Sequence, residues 1–319
     1  MIDFFRRGFF TDLFANASLI AVDIGARGGF DPDLLPIAWA VDAVGFEPEP
    51  EAFSRLSQAS ASPWRSLVVH PQAIAGNAGS RQLHIPSDPQ GASLLEHDPE
   101  IGRRYGFPHL FDRARTETIA TTTLDEAATR LGFEAPSYPK LDVEGAELEI
   151  LEAAETVLPS LVAIKTEAAF LPFRKNQPLA WDLASHLRAR NFEVMDISDP
   201  HRWRYGPGSP HPYLRRAAPA CSRGQVVQCD LLFFRAPDRM ADDEQAVRGA
   251  LIALALGYFD HAAALFDALP SRGRFEFDIS RAIGTPSRRY GRRAASAAIK
   301  AHLRDLLPLF HSLTIGLPR

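Results

Sequence analysis

The chain has 319 residues, with 35 Lys and Arg against 39 Asp and Glu, a net charge of −4, and 46% hydrophobic and 23% charged residues. That is the composition of an ordinary soluble globular protein of one large or two ordinary domains. It gives no basic face for nucleic acid and no apolar run near the roughly 20 residues that span a bilayer, and its two cysteines, Cys221 and Cys229, fit a reducing, cytoplasmic compartment better than a disulfide framework.

In residues 1–18, Phe4, Phe5, Phe9, Phe10 and Leu13 share one helical face, with Phe14 beside it. The stretch lacks an uninterrupted apolar stretch and a small-residue cleavage site, which speaks against a secretory signal. Apolar faces of this kind usually go to a core, so the spacing predicts a helix packed on the domain rather than one lying on a membrane surface.

Short apolar runs then alternate with helical segments. Strands are predicted at Ser18–Asp23, Ala40–Phe46, Ser66–His70, Tyr138–Val143, Leu161–Glu167, Phe192–Ile197 and Cys229–Phe234, and helices at Glu51–Gln58, Ala146–Leu158 and Leu179–Arg190. This alternation argues for an α/β protein with a doubly wound parallel sheet. Two further strands, Arg81–Ile85 and Glu117–Thr121, interrupt it between His70 and Tyr138. The last two strands are joined by a loop, Ser198–Gln225, rich in Pro, Gly, Arg and aromatics, and with no helix between them they are expected to be antiparallel. A connection that long in a compact domain is a lid, a binding segment or disordered. The domain is expected to span 19–237. Beyond it, 238–319 reads as a helical extension with helices at Ala241–Leu256, Tyr258–Leu269 and Arg292–Leu307, the first two facing each other across Gly257 like one unit of a helical repeat. One unit is not an array, so the extension is expected to serve packing, self-association or contact with a protein partner.

Three motifs carry the chemistry. "AVDIGARGGF" (Ala21–Phe30) is a strand ending in an acid and running into a glycine-rich turn. A dinucleotide fingerprint needs G-x-G-x-x-G; read from Gly25, its second and third glycines fall at Arg27 and Phe30 and fail. Asp23, Gly25 and Gly29 instead have the spacing of turns that hold the amino-acid end of S-adenosylmethionine, where the acid meets an ammonium. In "VGFEPEP" (Val44–Pro50), Glu47 ends the next strand, 24 positions beyond Asp23 (47 − 23), where an acid binds ribose hydroxyls. "PKLDVEGAELEIL" (Pro139–Leu151) is a strand ending in Asp142 and Glu144 before Gly145 and a helix. Two carboxylates there lie in the crevice where open α/β sheets bind ligands, whereas Glu147, Glu149 and Glu152 read as a solvated helix face and first-turn partners of the helix dipole.

"VDIGARGG", "FEPEPEAFSRL", "TTLDEAA", "PKLDVEGAELEILEAA" and "LVAIKTEAAF" together resemble the FkbM family of S-adenosylmethionine-dependent methyltransferases over roughly Leu19–Phe234. The resemblance implies the class I methyltransferase fold, a Rossmann-like sheet of seven strands with the last antiparallel, and methyl transfer to a hydroxyl of a glycan or other small molecule. It implies that Asp23, Gly25, Ala26 and Gly29 form the methionine-end turn, that Glu47, with Pro48, takes the ribose, and that Gln72 and Ala73 of "PQAIAG" lie beside the adenine. Ser93 of "GASLLE" would stand near the cofactor, and Asp142 would face the sulfonium and the acceptor. The family commonly has Asn where this chain has Arg27, and "FDPDLLP" replaces its aromatic-rich helix start. Arg27 is open to three readings: a strained turn residue, a contact for an acidic acceptor, or a solvated side chain.

A hydroxyl acceptor must lose a proton. Asp142, Glu144 and Glu167, in that order, are the candidate bases, and two of them could instead hold Mg²⁺. His70, His201 and His211 compete with them, and Arg202, Arg204, Arg215 and Arg216 with Trp203 and Tyr205 could clamp a polar or anionic acceptor. The alternatives are an N- or carboxyl-methyltransferase, a nicotinamide-dependent oxidoreductase, and a non-catalytic cofactor-binding module whose helical tail recruits a partner.

Overall fold

The computed structural model describes residues 5–6, 9–133, 135–206, 223–269, 283–293 and 295–300. A short helix, α1 (Phe9–Asn16), precedes strand β1 (Leu19–Ile24). There follow β2 (Val41–Phe46), α2 (Pro50–Ser57), β3 (Ser66–His70), β4 (Ala73–Ile74), β5 (Gly79–Ile85), α3 (Pro99–Tyr105), β6 (Arg115–Thr122), α4 (Leu124–Leu131), β7 (Tyr138–Leu141) and α5 (Glu147–Ala153). The remainder is β8 (Ala163–Ala169), α6 (Ala180–Arg188), β9 (Phe192–Trp203), β10 (Gln225–Arg235), α7 (Asp243–Leu256) and α8 (Phe259–Asp267).

The main sheet has seven strands in the order β3-β2-β1-β7-β8-β10-β9. All neighbours are parallel except at β10, which runs antiparallel to both β8 and β9. The chain order reverses between β1 and β7, and this switch point opens a crevice at the strands' carboxyl ends. A second sheet, β4-β6-β5, stands beside it. The expected reversal of the last strand is present, but β9 continues through Ser198–Trp203, where a loop was expected. Pairing from Trp203 with Gln225 back to Phe192 with Arg235 makes β9 and β10 a long, bulged hairpin. Residues 207–222, including His211, Arg215 and Arg216, lie outside the described residues.

Strand alternation divides the core. Leu19, Ala21, Val41, Ala43, Tyr138, Ala163, Leu232 and Phe234 face one side, where α1, the 3-10 turn Leu35–Ala40, α7 and α8 pack on them. Val22, Ile24, Phe46, Leu141, Ile164 and Phe233 face the other, against α4, α5 and α6. The connection from β1 to β2 holds only a 3-10 turn, so no crossover helix covers its side of the sheet; α7 and α8 cover it instead. Ala250 to Leu254 of α7 are buried throughout, and Gly257, at φ +95°, makes the turn into α8. The N-terminal phenylalanines are spent the same way: Phe10 and Phe14 of α1, and Phe5 before it, are buried. Among the described residues no helix is long and apolar enough to cross a membrane.

Candidate active site

A cavity of about 1040 Å³ opens at the carboxyl ends of β1, β2, β7 and β8. Pockets for drug-sized ligands run to roughly 300–1,000 Å³, so this one stands at the top of that range. Its lining falls into two halves. The first is made by Gly25, Arg27–Pro32, Glu47–Glu49, Gln72 and Ala73; the second by Gly91, Phe111, Phe173, Arg174, His201, Trp203 and Gln228. Asp142, Glu144 and Glu167 lie among the lining residues.

In the first half, Gly25 has φ +90°, and a Cβ there would stand 1.9 Å from the carbonyl oxygen of Asp142. The glycine is required because β7 ends against it. Gly28 and Gly29 are the reverse case: a Cβ at either meets no atom within 4 Å, so their backbone faces open space, as a closely approached ligand needs. Asp23 and Ala26 stand behind this wall. Asp23 is fully buried; its Oδ2 accepts the Asp31 amide at 2.7 Å, Lys140 Nζ lies 3.7 Å from Oδ1, and Oδ1 has no hydrogen-bond partner. Burial pushes its carboxyl up to about 6, against the pull of Lys140. Ala26 packs beside Gly45.

Glu47 is buried at the end of β2, its Oε1 accepting the Glu49 amide at 2.8 Å, and burial raises its carboxyl above the usual range. Pro48 lines the wall beside it. Arg27 is not among the residues with positive φ, so the turn does not strain it. Its guanidinium reaches back to Glu49 at 3.9 Å, and Glu49 in turn caps α2 through the Ala52 amide. Gln72 accepts a hydrogen bond from Arg130; Ala73 begins β4, paired with Thr121.

Between the halves, oxygens of Asp142, Glu144 and Glu167 all lie within 4.8 Å of one another. Lys140 Nζ is 2.9 Å from Asp142, and Arg174, a buried side chain, pairs with Glu144. Glu167 accepts from the Gln228 amide. Burial raises Glu144 against the pull of Arg174; burial, reinforced by Glu144 and Asp142, pushes Glu167 well above the usual glutamate range. The cluster has oxygen donors suited to Mg²⁺, yet Lys140 and Arg174 already neutralise two of its three carboxylates, so the residues present do not fit a metal ion.

Glu144 has φ +61°, and its carbonyl accepts the Ser93 hydroxyl at 2.7 Å. Ser93 therefore lines the cavity while spending its hydroxyl on this turn. Glu147 is a correction to the sequence reading: it is buried, not solvated. Its carboxylate accepts the Val143 and Gly145 amides at 3.0–3.1 Å, holding the turn from β7 into α5, and burial pushes it up to about 7. Glu149 pairs with Arg81 at 2.9 Å. His70 lies against Phe46 outside the cavity lining.

Over the second half, Trp203 packs against Phe107 and Phe173 with centroids 4.9 and 5.0 Å away. With Ile101, Tyr105, Phe111 and Val227 they form a hydrophobic cluster separate from the two main cores. The Gly206 amide donates to Arg104 and Tyr105 Oη to Gln225 at 2.8 Å, joining α3 to the hairpin as an aromatic roof.

The sequence reading passed over Lys140, Lys165, Arg174, Asp31 and Asp33. The two lysines were detectable, because each stands inside an apolar run read as a buried strand, where an unpaired ammonium is costly. Arg174, in the loop after β8, carried no such signal.

A sheet in this order with one reversed strand, bearing its cavity at the carboxyl ends, is the class I methyltransferase fold. The chain belongs to the FkbM methyltransferase family: the Methyltransferase FkbM domain matches residues 23–194. It is thus an S-adenosylmethionine-dependent methyltransferase and not a nicotinamide-dependent oxidoreductase. Magnesium protoporphyrin IX methyltransferase from Synechocystis PCC 6803, solved with bound S-adenosylmethionine, is similar at 12% identity over 71% of this chain and 76% of that one, with a TM-score of 0.33. Precorrin-6y C5,15-methyltransferase from Geobacter metallireducens GS-15 is similar at 9% identity over 71% and 88%, with a TM-score of 0.30. No curated protein matches the chain.

Proposed function

We propose that the protein transfers a methyl group to a hydroxyl of a small molecule or a glycan, with Glu167 as the base. The observation that carries this reading is the carboxylate cluster at the junction of the two halves of the cavity. Bound S-adenosylmethionine supplies a methyl group on a positively charged sulfur. The open Gly28–Gly29 backbone, with Asp23 behind it, and Glu47 at the tip of β2 fit such a donor. In this reading Gln72 and Ala73 border its adenine, and the aromatic roof receives the acceptor.

The chain's own work is alignment and proton removal. Lys140 and Arg174 hold the Asp142 and Glu144 carboxyls in place by pairing with them, and in this reading the two acids orient the reacting groups. Among the described residues the Glu167 carboxylate has one hydrogen-bond partner, the Gln228 amide, and its raised affinity for a proton strengthens it as a base. This reverses the order expected from sequence, where Asp142 stood first. His201 lines the same cavity and is the rival base.

The test is release of S-adenosylhomocysteine in the presence of a panel of hydroxyl acceptors. Glu167→Gln is expected to lower turnover by roughly 10²-fold or more while calorimetric affinity for S-adenosylhomocysteine stays near that of the parent. The acidic limb of the parent's pH–rate profile is expected well above the usual glutamate range, since protonation of Glu167 removes the base. Retained turnover in Glu167→Gln together with its loss in His201→Ala would sink the assignment. Binding without turnover on any acceptor would favour a non-catalytic module.

A further inference from the structure

Register places Asp23 of β1, Lys140 of β7 and Lys165 of β8 in one row across the sheet. Their side chains share the face on which Ala21, Tyr138 and Ala163 are buried. Lys165 Nζ lies 3.0 Å from Asp31, 3.0 Å from Asp33 and 3.5 Å from Asp230. Tyr138 also donates to Asp33, at 3.1 Å, and the Asp33 amide donates back to Asp31 at 2.8 Å. Asp31 and Asp33 belong to "FDPDLLP", the stretch that departs from the family pattern. They follow Gly28 and Gly29, where a Cβ would meet no atom within 4 Å; Phe30, next in the chain, packs on Trp64, and the ionic hold on the loop comes through Asp31 and Asp33. Gly28 to Pro32 all line the donor half of the cavity, whereas Lys165 and Asp33 do not.

We propose that Lys165 is a positioning residue for the methyl donor: through Asp31 and Asp33 it ties the loop after the glycine turn to the sheet and holds the cavity wall in its binding shape. The same tie reaches Asp23, because the Asp31 amide is one of that carboxylate's contacts. Without Lys165, two aspartates in the loop lose their cation, and donor binding has to order the loop that the lysine now orders in advance. The lysine thus compensates for the absence of a helix start after the turn. The inference rests on reading this half of the cavity as the donor site.

The test measures affinity for S-adenosylhomocysteine by calorimetry and amide exchange over residues 28–33, in the parent, Lys165→Met, Asp33→Asn and the double variant. Asp33 is chosen because it does not line the cavity, so its substitution disturbs the tie without touching a ligand. Lys165→Met is expected to bind roughly tenfold or more weakly, with the Michaelis constant for an acceptor unchanged. The double variant should be no weaker than Lys165→Met alone, because both changes break one tie. Exchange at 28–33 should quicken in the ligand-free variants while the centre of the sheet stays protected. Donor affinity within twofold of the parent in a folded Lys165→Met, or losses that multiply in the double variant, overturns the proposal. Unchanged exchange at 28–33 also overturns it. A parent that binds no S-adenosylhomocysteine refutes the donor reading instead; the exchange data still judge whether Lys165 orders the loop.

Discussion

Gly25 and Gly29 sit four residues apart in one turn and answer to different demands. At Gly25 a methyl group would enter the Asp142 carbonyl, so Gly25→Ala displaces β7 and is expected to cost roughly 3 kcal/mol or more of folding stability. Gly29→Ala meets no neighbour; its φ of +109° adds strain of about 1–3 kcal/mol, and it alters the lining of the cavity, where the donor is proposed to bind. Urea unfolding and calorimetry with S-adenosylhomocysteine separate the two. The first substitution should move chiefly the denaturation midpoint, and the second should lower affinity out of proportion to stability. Glu147 has a different signature. Its carboxyl in the native state titrates near 7, above the usual glutamate range, so the folded protein holds a proton that the unfolded chain has released. The resulting stabilisation is full at pH below about 4.5 and is lost as pH rises through 7, at up to about 1.4 kcal/mol per pH unit. Urea unfolding at pH 5 and pH 7.5 should therefore show a steeper fall for the parent than for Glu147→Gln; equal slopes would refute this. The three acids of the site and the acid at the tip of β2 were legible from strand-end position alone. Glu147 was misjudged, because a glutamate in a first helical turn reads as a dipole partner until the turn before it is seen to need an acceptor.

The strands of the main sheet were legible in the apolar runs; α4 was not among the predicted helices, and its start is set by the capping box of Thr123 and Glu126. The outer half of β9 was not. Ser-Asp-Pro-His reads as a turn, and only the partner strand supplies the hydrogen bonds that extend it; as an edge strand β9 tolerates Pro200. The helical tail was legible as helices but not in its place. α7 and α8 fill the side of the sheet that the helix-free connection from β1 to β2 leaves bare, a compensation across more than two hundred residues that local pattern does not reveal. Leu251 is fully buried there, and Leu251→Ala is expected to cost about 2–5 kcal/mol. It lies outside the cavity lining, so donor affinity measured well below the melting temperature should stay at the parental level. A loss of affinity without a loss of stability would show that the tail serves the site directly.

At the scale of the whole molecule, the cavity joins two constructions. The wall that carries the glycine turn is built on parallel strands, with the half-buried Lys140 and Lys165 beside it, and it shares its packing with the two main cores. The aromatic roof, from α3 and the far end of the β9–β10 hairpin, packs in its own hydrophobic cluster, which takes in Ala169 at the end of β8 and Phe173 beyond it, and the Asp98 and Phe170 amides, donating to the Phe173 and Val227 carbonyls, tie it to that strand. If the roof receives the acceptor, as proposed, a change of acceptor by segment exchange has to carry Ala169 and Phe173 together with the α3 and hairpin residues that pack on them.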